Sequence, residues 1–590
     1  MSKTAKPSVS PKMPPGMPPK GPSVFALLIP YRGLIFLLLL FTLLSNGINL
    51  WLPKIIANGI DSFNNHKLVI NDILIKFSIA AFVIFIFAYL QSVVQTFASE
   101  KVARDMRTKL AAKISAQSYA YVEQVSPSKL LTNLTADVDS IKMFVAMAVA
   151  SIASSLIIII GVCIMLFTIN WKLALAIIAI IPIIGGTFFI VLKKVRAIFI
   201  KSRAIIDRLN KVINESILGA AIIRVINSQQ PEYDKFLSAN TEAKNLGLGI
   251  LRLFAGLIPI IIFTANMGGL TILALGGHFV ISGSMTVGNF FAFNSYLSML
   301  IFPILVIGFM SNIIAQATAS YQRIAMVLNA PDIKEMGTVQ DKLKGNITLE
   351  NVSVMYGQKP ALKNVNFSVE AGSKLAIIGP TAAGKTQLLY LLTGLIKQNE
   401  GTITFDGKDI DSYNKENFHN QVGFVFQDSI IFNMSIRENI AFNVKVSDEA
   451  LAKAVATAEL KNYIDTLPQK LDTVVSERGT SLSGGQKQRI MLARALAINP
   501  TVLLLDDFTA RVDTNTEKKI LDNIEKNYPG ITLLSVTQKI ASVEHYDQVI
   551  VLMEGEIVAT GTHDELMESS PEYVQIFNSQ QSTSNYELQS

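Results

Sequence analysis

The chain has 590 residues, half of them apolar and only 16% charged, with a formal net charge of +7 and a mean hydropathy of +0.39. That length allows several domains, and the apolar excess points toward a membrane protein. The single cysteine, Cys163, excludes an internal disulfide. Cations that gather beside membrane helices account for the positive charge, so no nucleic-acid partner is needed.

Residues 1–22 are rich in Pro, Lys and Ser and lack the apolar core of a secretory signal. They read as a disordered cytoplasmic tail. Six apolar runs follow, at about Leu34 to Leu52, Ile73 to Phe97, Met143 to Ile169, Leu173 to Leu192, Ile250 to Ile281 and Phe290 to Ile314. Each is close to the roughly 20 residues that a helix needs to cross a bilayer. The spacing therefore predicts a six-helix transmembrane domain over 23–328.

Cations set the orientation. Lys101, Arg104, Arg107, Lys109 and Lys113 follow the second run, and Lys193, Lys194, Arg196, Lys201, Arg203, Arg208 and Lys211 follow the fourth. The loops after the first, third and fifth runs hold only Lys54, Lys67 and Lys172. Positive loops stay inside, so both termini and both long loops are expected on the cytoplasmic side. Those loops look helical, and short helices are expected near Tyr121 to Leu131 and Asn214 to Gly219. The runs hold amides but no Asp or Glu, which argues against a proton relay. Asn46, Asn49, Gln91, Gln95, Asn266, Asn294, Asn312 and Gln316 either bond neighbouring helices or line a substrate cavity.

A polar linker over 329–346 leads to strands alternating with amphipathic helices over 347–580, an α/β pattern, and a polar tail closes the chain at 581–590. The strand LAIIG runs into GPTAAGKT and the helix TQLLYLLTGL, a P-loop in its proper context. The backbone of Gly379, Pro380, Thr381, Ala382, Ala383 and Gly384 would cradle the phosphates of ATP. Lys385 would neutralise the β- and γ-phosphates and Thr386 would hold Mg²⁺, with Gln387 following. Asp506 ends the strand VLLLD and would reach the same Mg²⁺ through a water. In LSGGQKQR, Ser483, Gly484, Gly485 and Gln486 open a helix that offers a second anion-binding end. One nucleotide has no need of two cradles in one domain, unless the second serves a nucleotide held by another copy.

With GPTAAGKT, LSGGQ and VLLLD together, the chain resembles an ATP-binding cassette (ABC) exporter half-transporter from about Phe25 to about Asn578. The resemblance implies a polytopic α-helical membrane domain with long cytoplasmic extensions, fused to an α/β P-loop domain. It also implies a head-to-tail pair of cassettes, each ATP lying between one P-loop and the other chain's LSGGQ. Tyr356 in VSVMY looks like the adenine-stacking aromatic, and Gln427 in FVFQD like the glutamine that links Mg²⁺ to the membrane domain. VVSERG, at 474–479, is similar to the segment that touches the membrane-domain loops.

The pattern breaks in four places. Asp507 stands where the family has Glu as the base, and Gln538 where it has the switch histidine. ARVD at 510–513 stands where the family has SALD, and the P-loop has Ala382 where a glycine is usual, with Gln387 following Thr386 where Ser-Thr would be typical. Shortening the base by one methylene misplaces the carboxylate by about 1 Å, which can cost ~10²-fold. LSGGQ is intact. The implied protein is the degenerate half of a heterodimeric bacterial multidrug-type exporter, multi-pass in the cell membrane, its partner a half-transporter with an intact catalytic glutamate. Cargo would be small hydrophobic or amphipathic compounds, with membrane lipid around the helices. An ATP-gated channel or regulator, and a lipid or peptide exporter acting as a homodimer, are the alternatives.

Overall fold

The computed structural model describes residues 23–66, 70–331, 337–356, 359–442, 446–476, 479–509 and 511–587, with side chains as far as Gln580. The tail expected at 1–22 lies outside the described residues, as do Glu477 and Arg478 of VVSERG and Ala510 of ARVD. The chain forms two compact units. One comprises residues up to Ala116 and Val125–Pro331; the other comprises Gln117–Gln124 and the chain from Asp332 onward.

The first unit is helical. Among the described residues six helices are long and apolar enough to cross a membrane: Ala26–Asn64, Ile70–Ser115, Pro127–Ile169, Trp171–Leu218, Gln229–Ile281 and Val287–Leu328. Each contains one of the six apolar runs. At about 1.5 Å per residue even the sixth helix reaches roughly 60 Å, twice the ~30 Å hydrocarbon core, so helical extensions leave the bilayer. Phe36, Phe82, Phe85 and Phe263 point outward and exposed, an arrangement stable only where lipid replaces water. The second loop differs from expectation. Asn214 to Leu218 stay within the long helix, which ends at Gly219, and the short helix is Ala220–Val225. Nothing before Gly219 breaks the helical register, so the break moves to the glycine. In the first loop two short helices form, Tyr119–Val125 and Pro127–Thr132, separated by Ser126 at φ 73°.

Polar groups tie these helices together. Asn46 Nδ2 donates to Ser154 Oγ at 2.9 Å, the Gln95 amide donates to the Ala146 carbonyl, and Tyr296 OH donates to the Leu50 carbonyl at 2.9 Å. Asn46 and Gln95 thus take the helix-bonding role, as does the exposed Gln316, whose Nε2 reaches Ser140 Oγ at 3.4 Å, while Asn266, Asn294 and Asn312 are exposed. Outside the apolar runs, Asp137 is buried with its side chain 3% exposed and pairs with Arg323. Arg323 Nε reaches Asp137 Oδ2 at 3.0 Å and its Nη2 also donates to Ser320 Oγ at 3.0 Å.

The second unit holds two sheets. The first is antiparallel in the order β2-β1-β4-β5, from β1 (Ile347–Tyr356), β2 (Lys359–Val369), β4 (Glu400–Phe405) and β5 (Lys408–Asp409). The second runs β10-β9-β3-β8-β7-β6, from β3 (Lys374–Ile378), β6 (Val422–Val425), β7 (Val502–Asp506), β8 (Thr532–Val536), β9 (Gln548–Met553) and β10 (Glu556–Gly561). All pairs from β9 through β6 are parallel. Because strand side chains alternate, one strand feeds two cores. Leu503 and Leu505 enter the cluster with α2 (Gly484–Ala497) and α3 (Thr514–Asn527), whereas Val502 and Leu504 enter the cluster with α1 (Lys385–Leu392). Tyr119 packs at the edge of the α1 core, its ring edge-on to Tyr390 at 5.5 Å.

The Asp137–Arg323 pair generates a prediction. Arg323→Met leaves a buried carboxylate without its cation, which is expected to cost about 3 kcal/mol at most, since the guanidinium is half exposed. Asp137→Asn with Arg323→Met should recover part of that loss. Thermal unfolding of the detergent-purified chain checks it, and a double variant no more stable than Arg323→Met would contradict it.

Candidate nucleotide site

The P-loop joins β3 to α1, and its shape depends on two glycines. Gly379 has φ +155° and a Cβ there would lie 2.0 Å from the Leu552 carbonyl oxygen. Gly384 has φ +101° and a Cβ would lie 2.6 Å from the Ala361 carbonyl oxygen. Ala382 also takes a positive φ, 65°, a conformation that costs an alanine about 1 kcal/mol. That is the physical reason for a glycine at this position. Lys385 is buried, and its ammonium donates to the carbonyls of Gly379 and Pro380 at 2.8 Å each. Burial pulls the Lys385 ammonium below the usual lysine range, against the opposing pull of Asp507 and Asp506.

Asp506 sits at the carboxyl end of β7, 1% exposed. Thr386 Oγ1 donates to its Oδ1 at 3.3 Å, while Oδ2 is buried and has no hydrogen-bond partner. Burial pushes the Asp506 carboxyl up to about 6; the Thr386 hydrogen bond and Lys385 oppose the shift, and Asp507 and Asp428 add to it. An orphaned carboxylate oxygen beside a hydroxyl is an all-oxygen donor set that fits a hard divalent cation. Asp507 follows at φ 46°, tolerable for Asp, its N–H held by the Val536 carbonyl at 2.9 Å. Burial raises the Asp507 carboxyl, and Lys385 and then Lys539 counter that.

These groups line one cleft of about 630 Å³. Thr381 to Gln387 of the P-loop, Tyr356, Gln427, Asp506, Asp507 and Gln538 all border it. Tyr356 is 48% exposed, and its hydroxyl donates to Gln387 Oε1 at 2.6 Å. The phenol is pushed upward by partial burial and then by the carboxylate of Glu123. Lys359, Lys363 and Glu554 also line the cleft. No motif marks them, and only the strand pairing of β2 brings the two lysines to this edge.

Ser483, Gly484, Gly485 and Gln486 are not among the described residues that border this cleft. They start α2 as a closed capping box: Gln486 N donates to Ser483 Oγ at 3.3 Å, and Ser483 N donates to Gln486 Oε1 at 2.8 Å. The Ser483 hydroxyl acts there as acceptor, so its proton stays available to a ligand. Gly484 and Gly485 lie against Arg511, with Cβ positions 2.9 Å from its Cδ and 2.8 Å from its carbonyl oxygen respectively.

Six membrane-length helices and a P-loop cleft on a parallel sheet define a membrane transporter driven by a nucleotide-binding domain. Residues 35–304 match the ABC transporter transmembrane region and residues 362–510 the ABC transporter family. The chain is 32% identical to the uncharacterized ABC transporter ATP-binding protein YfiB of Bacillus subtilis (strain 168), covering 93% of this chain and 97% of that one. It is 30% identical to the ATP-dependent lipid A-core flippase of Syntrophus aciditrophicus (strain SB), covering 83% and 82%. It is also 30% identical to the multidrug resistance-like ATP-binding protein MdlA of Buchnera aphidicola subsp. Schizaphis graminum (strain Sg), covering 93% and 96%. A bacterial Atm1-family ABC exporter with ATP bound shares the fold, with a TM-score of 0.76 at 24% identity over 94% and 99% of the two chains. This chain belongs to the ABC transporter family: it is a multi-pass membrane half-transporter with its own ATP-binding domain, an ATPase-coupled transporter.

The raised Asp506 carboxyl fixes a sign. Its stabilising protonated form is fully present below about pH 4 and lost as pH rises through about 6, at a cost of at most about 3 kcal/mol by pH 8. In metal-free, nucleotide-free protein, Asp506→Asn should raise the thermal midpoint at pH 8 and leave it unchanged near pH 4. An equal effect at both pH values would contradict the burial argument.

Proposed function

We propose that this chain is one half of a heterodimeric exporter of hydrophobic or amphipathic compounds in a bacterial cell membrane, with both termini and the nucleotide-binding domain on the cytoplasmic side. Its own P-loop binds ATP with Mg²⁺ and hydrolyses it poorly; its signature completes the hydrolytic site on the partner's P-loop. One observation carries the reading. Every departure that borders the cleft (Ala382, Gln387, Asp507 and Gln538) belongs to this chain's own nucleotide, whereas Ser483 to Gln486 keep an intact capping box elsewhere.

In this reading Thr386 and Asp506 hold Mg²⁺, which when bound offsets the charge of the β- and γ-phosphates. Lys385 leaves its carbonyls for those phosphates, and Tyr356 offers its exposed ring to adenine. Gln427, just past the end of β6, borders the cleft and would reach the metal when it is bound; its carbonyl accepts from Gln488 Nε2 at 3.4 Å. Asp507 occupies the base position and Gln538 the switch position facing the γ-phosphate. An amide there donates a hydrogen bond but does not titrate as imidazole does. A second chain is also supported by an apolar tip: Leu218, Ile222 and Val225 are 81%, 66% and 85% exposed beside the short helix Ala220–Val225. Such a cluster beyond the bilayer calls for a covering surface. The multidrug-like and flippase relatives support amphipathic cargo, a membrane lipid among the candidates.

The complex co-purified through a tag on this chain tests the division of labour. Asp507→Asn should leave steady-state ATPase within about twofold, where a true base would lose ~10² or more. Ser483→Arg should lower it by ~10² or more, because donors to charge that develops in the transition state are each worth about 3 kcal/mol. The reverse ranking would overturn the proposal.

A further inference from the structure

The last described helix, Pro571–Glu587, carries a stripe at helical spacing: Tyr573, Ile576, Phe577 and then Gln580. Tyr573 is fully buried and its hydroxyl meets His563 Nδ1 at 2.7 Å; Ile576 and Phe577 pack on the core of the second unit. The next position on the stripe is an amide, and it meets backbone. Ile540 N donates to Gln580 Oε1 at 3.0 Å, and Gln580 Nε2 donates to the Gln538 carbonyl. Both ends of one amide therefore close on the loop after β8, its oxygen on an N–H and its nitrogen on a carbonyl.

Within the loop Lys539 is also held, its N–H donating to Thr537 Oγ1 at 3.0 Å and its ammonium to the Thr509 carbonyl at 3.3 Å and Glu517 Oε2 at 3.4 Å. Thr537 and Ile540 are buried, and Thr537 N donates to the Ile377 carbonyl at 3.3 Å. Between them Gln538 is exposed toward the nucleotide cleft. We propose that Gln580 is a positioning residue for the switch: the C-terminal helix clamps the backbone on both sides of Lys539 and so fixes where the Gln538 side chain stands over the nucleotide. The proposal rests on the reading of Gln538 as the switch position. It makes the C-terminal helix a determinant of how long this chain retains ATP, although no residue of that helix borders the cleft among those described.

The test uses the full chain in its co-purified complex. Gln580→Met keeps the packing volume and removes both hydrogen bonds, Gln580→Glu keeps only the acceptor, and Gln538→Ala removes the switch side chain. Hydrogen exchange at the Ile540 amide is followed by mass spectrometry. Release of 8-azido-[α-³²P]ATP is followed by a cold-ATP chase and photolysis, reading label on this chain. Gln580→Met should speed Ile540 exchange about tenfold, the size of one modest hydrogen bond, and accelerate nucleotide release several-fold with an unchanged thermal midpoint. Gln580→Glu should keep Ile540 protected yet still accelerate release. Unchanged Ile540 exchange in Gln580→Met would overturn the clamp. Accelerated release in Gln538→Ala but not in Gln580→Met would overturn its positioning role. Unaltered release in Gln538→Ala would instead overturn the switch reading, and the proposal with it.

Discussion

A carboxylate held out of water at the end of β7 organises the nucleotide-binding unit. Asp506 can be buried there because β7 lies between β6 and β8, with its apolar residues divided between two cores. The strand end points its carboxylate at the first turn of α1, where the Thr386 hydroxyl donates to it. An unpaired buried charge is costly, so the arrangement is stable only with a proton or a cation on the free oxygen. The P-loop, with glycines where carbonyls crowd it, brings the Lys385 ammonium to the same cleft. The positions of Asp507 and Gln538 then follow from continuity of chain and sheet, since Asp507 N is tied to the Val536 carbonyl and Gln538 lies two residues beyond the end of β8.

In the proposed reading, departures at this site need not disable a pump. The residues that differ from the family pattern at the cleft would act on the nucleotide of the cleft they line. The signature lies at the start of another helix, and its capping box keeps the Ser483 hydroxyl and the neighbouring amides ordered whatever stands at position 507. Two sets of residues with separate structural support can change independently: Ala382, Gln387, Asp507 and Gln538 depart from the family pattern at the cleft, while Arg511 departs beside the signature glycines and leaves LSGGQ itself intact.

Much of this was legible in the chain. Apolar runs without a polar face gave the six membrane helices, and GPTAAGKT with VLLLD gave the strand–loop–helix seen between β3 and α1 and the strand β7. Long-range pairing was not legible. Asp137 and Arg323 lie 186 residues apart, outside the apolar runs, and nothing local marks either one. Gln580 is the last residue of the stretch read as the α/β domain, and its partners are backbone groups that no motif records. The short helix of the second loop was placed a few residues early because helical propensity carries through Leu218 and the stop is Gly219 itself. The positive φ at Ala382 gives a physical cost to a departure that the sequence shows only as a difference of residue.

The central claim is that this chain keeps ATP where its partner turns ATP over. The direct measurement is the ratio of γ- to α-phosphate label retained on this chain. The co-purified complex would turn over 8-azido-ATP labelled at one phosphate or the other, and each sample would be photolysed during steady state. The account predicts nearly equal γ and α label on this chain after many turnovers of the complex. Loss of the γ label at the rate of bulk turnover, with the α label kept as ADP, would contradict it.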